Sequence, residues 1–354
     1  MTSRSPRTGG ALPAVATRTS AALAVLALLA ATLAGVLAGC GSSATPAGAT
    51  QTSSRTGVTL IMDWVPWVLD IPVDVAQAKH FYADAGLDVK QQVPAGATDV
   101  VKFVSTGKAQ FGLYYSPDTL AAAAEGAPLV SVAALMSHAP VGVAMAPGET
   151  ASAPGDLEGK VAGIVMIPST RASFATMLQA GDVPEGDVKV VDPGYELVAP
   201  LLAKKYDAVA VTEFAELVQA EQQAGELSYL DFRDWGTPDF AFLDVVTSAE
   251  MTRQQPETVK AFVAATLRGL QWAADNPDEA VAIYTARHPE LKADLLLAQW
   301  KAAVPSLATA GEHPAGWQDA ASWEALAAWM RDSGQLSKDV AAGDVVDDGF
   351  LPAQ

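Results

Sequence analysis

A single cysteine, Cys40, stands among 354 residues, so neither an intrachain disulfide nor a cysteine-based zinc site can form. Histidine is scarce too. His80, His138, His288 and His313 lie far apart, with no pair at the spacing by which a helix holds a metal. No metal site and no cofactor are expected. Basic residues are outnumbered, 22 Lys and Arg against 40 Asp and Glu, for a formal net charge of −18. Such a surface repels phosphate backbones and anionic headgroups, which argues against nucleic acid as a partner. The chain also lacks a Gly-x-Ser-x-Gly elbow, a Ser/His pair at a defined spacing and a phosphate-cradling glycine loop. The expectation is a protein that is not an enzyme and has no catalytic residue.

What is present begins with a long apolar run. Arg4, Arg7 and Arg18 precede it with no acidic residue, and Ala21 to Gly39 is built almost wholly from Ala, Leu, Val and Gly. That is the layout of a secretory signal. Leu37-Ala38-Gly39-Cys40, followed by the spacer Gly41-Ser42-Ser43-Ala44-Thr45-Pro46, resembles the lipobox of bacterial lipoproteins. The resemblance implies cleavage before Cys40, a diacylglyceryl group on its sulfur and acylation of the new terminus. At about 0.8 kcal/mol per buried methylene, two or three chains make a firm membrane anchor where one is marginal. An uncleaved transmembrane helix is the alternative, because the run is long enough to span a bilayer. Removing residues 1–39 takes away three Arg and no acid, which moves the net charge from −18 to −21.

The remaining length, about 300 residues, exceeds a typical single core and predicts two lobes. Residues 40–56 are Ser, Thr, Gly and Ala-rich and read as a flexible tether. Beyond them, short β-rich runs alternate with segments of helical apolar spacing: strands at Val58–Met62, Leu87–Val89, Gln110–Tyr114 and Leu129–Leu135, with helices at Val73–Tyr82, Val100–Thr106 and Asp118–Glu125. After a Pro/Gly-rich crossing near Ala146–Gly155, the alternation restarts through Lys160–Ile167, Val188–Val191 and Tyr206–Val211. Alternation of this kind predicts parallel β-α-β units with covered sheets. The expected division is a first lobe from 57–146, a second lobe from 147–238, and a return of 239–354 to the first lobe. In the return, Val259, Phe262, Val263, Thr266, Leu267 and Leu270 form one helical face. Trp300, Trp317, Trp323 and Trp329 read as core of the tail rather than ligand contacts.

Several segments, in order, resemble one family. Thr59-Leu60-Ile61-Met62-Asp63-Trp64-Val65-Pro66 looks like the opening strand of the NMT1/THI5-like substrate-binding proteins of ABC importers, the group associated with thiamine pyrimidine precursors. His80 to Val89 resembles their "G-Y-F-K-E-A-G-L-D-V", and Thr106 to Gly112 their "S-G-K-A-D-F-G". Asp156 to Lys160, Pro256 to Phe262 and Ala273 to Pro277 resemble further segments, so the likeness spans roughly residues 58–330. It implies a two-lobed α/β fold of the periplasmic-binding-protein type (type II, Venus-flytrap), with a helical C-terminal tail returning to lobe 1. One place departs. Members that bind the thiamine pyrimidine continue Asp-Trp-x-Pro with Asn and then a His, whereas here Pro66 is followed by Trp67-Val68-Leu69-Asp70-Ile71-Pro72.

Open α/β sheets bind ligands at the carboxyl ends of their strands. That rule nominates Asp63, Trp64 and Trp67 after the first strand, and Tyr114, Tyr115 and Ser116 after the third. Since strand residues alternate in direction, at most one of the two tyrosines faces the cleft squarely. In the second lobe it nominates Pro168, Ser169 and Thr170, with Ser169 as an N-cap whose neighbouring N–H groups can receive an oxygen. The resemblance adds Glu213, from a family acid after the corresponding strand, and Phe240, matching a family tyrosine. Aromatic faces beside carboxylates favour a neutral or cationic nitrogen heterocycle, since a sulfonate, taurine or nitrate reader needs cationic or N–H donors. The expected function is therefore an extracytoplasmic, lipid-anchored, monomeric solute-binding protein. It would deliver a small planar ligand, of the pyrimidine-type thiamine-precursor kind, to an ABC permease by hinge closure. The alternatives are an anion-binding protein of the same fold, a sensory lipoprotein, and an enzyme like the pyrimidine synthases of the same superfamily.

Overall fold

The computed structural model describes residues 55–96, 98–194 and 196–353. The signal segment, Cys40 and nearly all of the tether lie outside the described residues. Two five-stranded sheets organise the rest. The first contains β1 (Thr56–Ile61), β2 (Leu87–Gln92), β3 (Phe111–Tyr114), β4 (Leu129–Met136) and β10 (Leu243–Ser248), in the order β2-β1-β3-β10-β4. The second contains β5 (Val141–Met145), β6 (Val161–Gly163), β7 (Lys189–Val191), β8 (Ala208–Thr212) and β9 (Tyr229–Asp231), in the order β7-β6-β8-β5-β9. Each sheet is parallel around its first βα units and takes in one reversed strand. β10 runs antiparallel to β3 and β4, and β5 antiparallel to β8 and β9. This is the two-lobed periplasmic-binding-protein fold.

Helices cover the sheets: α1 (Ile71–Ala78), α2 (Phe81–Asp84), α3 (Asp99–Ser105) and α4 (Ser116–Ala124) on the first, then α5 (Pro168–Ala180), α6 (Val198–Leu202) and α7 (Val218–Ala224) on the second. The return segment adds α8 (Ala249–Gln254), α9 (Pro256–Asp275), α10 (Pro277–Arg287), α11 (Ala293–Ala303) and α12 (Ala320–Asp332). The face of α9 that the apolar spacing predicts is the one buried. Phe262 stacks on Phe111 of β3 at 3.9 Å and on Tyr82 at 5.4 Å. The helix presses so close to α1 that a Cβ on Gly269 would meet the carbonyl oxygen of Pro72 at 2.4 Å. Trp300 and Trp323 are core, at 0% and 1% exposure.

The crossing between sheets comes earlier than the expected boundary at residue 146. Val141–Met145 pairs with β8 and β9, so residues 137–140 carry the chain across and 141 onward belongs with the second sheet. Val141 to Met145 is itself a short apolar strand, and the Pro/Gly cluster after it is only its terminal turn. The chain recrosses between β9 and β10, and the two crossings are clipped together. His138 Nδ1 lies 2.5 Å from Asp239 Oδ2, and the Ala139 N–H donates to Asp239 Oδ1 at 3.2 Å. The bond to Asp239 raises the imidazole's proton affinity above its ordinary value.

Candidate ligand-binding site

β1 ends at Ile61, and the chain leaves the sheet through Met62 and Asp63. Asp63 is only 6% exposed, yet its carboxylate is held by side chains of the cleft wall. The Tyr115 hydroxyl donates to Oδ2 at 2.6 Å, and the Trp67 indole N–H to Oδ1 at 3.5 Å. Burial pushes this carboxyl up to about 6, against the opposing pull of Tyr115 and Trp67. Tyr115 sits where β3 gives way to α4, and its ring meets Phe242 at 5.2 Å, edge to face. Tyr114 points the other way and packs with Val100 and Val104 behind the sheet, as pleat alternation requires.

The second lobe contributes through the turn after β8. Glu213–Leu217 forms a π-helical turn that carries Phe214 into the first lobe's core. Phe214 lies 5.8 Å from the Trp67 ring and 6.1 Å from Phe242. The turn is seated by Gln299 of α11, whose amide donates to the Ala215 carbonyl at 3.1 Å. Four rings from both lobes thus gather beside one buried carboxylate. Glu213 itself is exposed at this end of β8, while Glu216 accepts from the Thr212 N–H at 2.9 Å and closes the turn.

Behind Asp63 lie two further buried acids at the start of α1, Asp70 and Asp74, at 5% and 1% exposure. Arg287 at 2.8 Å, Gln91 at 2.7 Å and His288 at 3.3 Å surround Asp74. Asp70 is poorly served. Its Oδ2 accepts from the Trp67 N–H and the Tyr284 hydroxyl, each at 3.3 Å, and its Oδ1 has no partner. Burial first, and the charge of Asp63 second, push the Asp70 carboxyl well above the usual carboxylate range.

Other expected site residues are placed differently. Ser116 is fully buried, with its hydroxyl 2.5 Å from both the Ala241 carbonyl and Asp244 Oδ2, so it ties α4 to β10 and does not reach the cleft. Ser169 does not cap α5. Pro168 takes the first helical position, which makes Ile167 the N-cap residue, and no side chain caps the helix. Pro168 is exposed at this rim, with Ser169 and Thr170 half-buried. Arg171 is engaged with Glu185 at 3.3 Å. Trp64, 36% exposed, follows Asp63 at the mouth. Phe240 is a core residue, packed with Leu120, Trp323 and Leu326, and the aromatic that joins the cluster is Phe242. The carboxyl-end rule misses Phe242 because β10 runs backwards. Its amino end pairs beside the carboxyl end of β3, Asp244 opposite Tyr114.

Known proteins resemble this chain in sequence and in fold. The sequence model of a family described as NMT1/THI5 like matches residues 70–280. A formylaminopyrimidine-binding protein of Halalkalibacterium halodurans is 28% identical over 291 residues, covering 81% of this chain and 88% of that protein. A 4-amino-5-hydroxymethyl-2-methylpyrimidine phosphate synthase of Legionella pneumophila is 27% identical over 249 residues, covering 69% and 78%. Among solved structures, the periplasmic aliphatic sulphonate binding protein SsuA from Escherichia coli superposes with a TM-score of 0.67 at 13% identity, covering 82% of this chain and 92% of that one.

Proposed function

The chain belongs to the NMT1/THI5-like family, and from that premise we propose that it is an extracytoplasmic solute-binding lipoprotein that hands a small planar nitrogen heterocycle to an ABC permease. One observation carries this reading: Asp63, an acceptor, sits under rings supplied by both lobes, with Tyr115 and Trp67 orienting it and Phe214 arriving from across the cleft. A flat ring would lie against this aromatic group when the lobes part, with its N–H or exocyclic amine meeting the carboxylate. Asp63, Trp64, Trp67, Tyr115, Phe214 and Phe242 are the residues assigned to it. The pyrimidine class is supported by the Halalkalibacterium relative, a formylaminopyrimidine-binding protein. Hinge motion at the paired crossings would open and close the lobes, and ligand touching both would shift the population toward closure. Cys40 would hold the monomer to the membrane through its acyl chains.

Two other readings are tested alongside. An oxyanion ligand, as the SsuA-like fold invites, needs donors where this site offers carboxylates. A synthase, as the Legionella relative invites, would turn over its substrate. A thermal-shift panel of aminopyrimidines, thiamine, riboflavin, taurine, alkanesulfonates and nitrate separates them, because a ligand at about 100 times its Kd adds about 2.7 kcal/mol. Stabilisation by a heterocycle without turnover supports the proposal. Stabilisation by a sulfonate or nitrate alone overturns it.

A further inference from the structure

Three carboxylates follow one another from the end of β1 into α1, and the protein neutralises only the last of them. Asp74 has Arg287 and His288 as salt-bridge partners. Among the described residues, no Lys, Arg or His forms an ion pair with Asp63 or Asp70, though both are more than nine-tenths buried. The groups facing this pair add no positive charge. They are the phenols of Tyr115 and Tyr284, with Asp74 near Asp70 and Asp118 near Tyr115. Arg287 and His288, across α1, are spent on Asp74. Asp70 Oδ1 has no partner at all, and the bonds to Oδ2 are long. A buried anion without a counter-charge is costly, and the cost is relieved only by a proton or by a cation. The rings of Trp67, Tyr115, Phe214 and Phe242 pack on one another beside this pair, tilted or edge to face, so the surroundings are aromatic and carry no positive charge.

Resting on the reading that a flat nitrogen heterocycle occupies the cleft, we propose that this heterocycle is bound as a cation and that Asp70, standing behind Asp63, sets the charge preference. Asp70 does not touch the ring. It acts through its field on Asp63 and through the Trp67 backbone, whose N–H it accepts while the Trp67 indole holds Asp63. A protonated or permanently charged ring supplies the counter-charge that the protein withholds, and Asp63 then stays ionised as the acceptor at the ring edge.

The test uses two probes of one shape, 4-aminopyridine and 4-aminopyrimidine. The first carries a proton on its ring at neutral pH and the second does not. Isothermal titration of the full chain in mild detergent at neutral pH should show the pyridine binding at least about tenfold tighter. Asp70→Asn should reduce that ratio to within about threefold. Equal affinities, a reversed order, or an undiminished ratio in Asp70→Asn would overturn the charge assignment while leaving the heterocycle reading in place. Binding of neither ring would overturn both. If Asp70→Asn does not fold, the parent's ratio decides, with Asp63→Asn as the second variant expected to narrow it.

Discussion

Asp63→Asn isolates the cost of a charge buried in the cleft floor. The Asp63 carboxyl titrates at about 6 in the folded protein, against 3.8 for an ordinary aspartate, with burial as the main cause. A raised folded value means that the folded state holds the proton more tightly than the unfolded chain does. The stability this brings is complete below the ordinary value and is lost as pH rises through about 6. A gap of about two units corresponds to about 3 kcal/mol between about pH 4 and about pH 8. Asparagine cannot titrate, so the variant should gain on the parent by about that much across this window. At the acid end the two chains are matched, because a protonated carboxyl and an amide each offer one oxygen to accept from the Trp67 N–H and one donor for the Tyr115 oxygen. The charge of Asp63 also raises Asp70, so its removal eases that second carboxyl in the same direction. Urea unfolding of both chains at matched pH values gives the difference directly, and titrating groups that Asp63 does not influence cancel in it. Parallel stability curves from acid to mildly alkaline pH would refute the reasoning.

Phe214→Ala removes a ring at 1% exposure and should destabilise the protein by about 3–5 kcal/mol, and it should also weaken heterocycle binding in titration calorimetry. Phe240→Ala should also cost stability, since that ring is core, but leave affinity unchanged; a matching loss of affinity would return Phe240 to the site. Asp244→Asn should flatten the loss of melting temperature as pH rises. The Ser116 hydroxyl has one proton for two acceptors, so Asp244 must carry a proton of its own. Burial raises its carboxyl, and the stability that proton brings is lost only as pH climbs through the raised value. Cys40→Ala should release the protein into the soluble fraction, and continued retention in membranes would point to a spanning helix instead.

The alternation of elements was readable because each element needs only local periodicity. Val58 to Met62 and Leu129 to Leu135 announce strands by composition, and the Val259 to Leu270 face announces α9 by its three-and-four spacing. Val141–Met145 is masked in the sequence because it abuts a Pro/Gly cluster that looks like a linker, although the cluster only ends the strand. At the site, Asp63 with Tyr115 and Trp67 could be approached from the ends of parallel strands. Phe242 could not, because nothing local reveals that β10 runs antiparallel and brings its first residues to the cleft edge. Ser116, a polar residue at the predicted edge, turned inward because α4 needed a tie to β10.

The amino-acid order alone thus determined which stretches become strands and helices, and that they build two α/β halves, since backbone propensity and apolar rhythm are properties of neighbours in the chain. Tertiary structure decided which rings meet, that Phe214 crosses from one lobe to the other, and that Asp74 acquires the charge of Arg287 while Asp63 and Asp70 gain none. Those outcomes depend on strand direction and on groups more than two hundred residues apart, such as Asp74 and Arg287, and charge compensation in a buried site is set by distance in space.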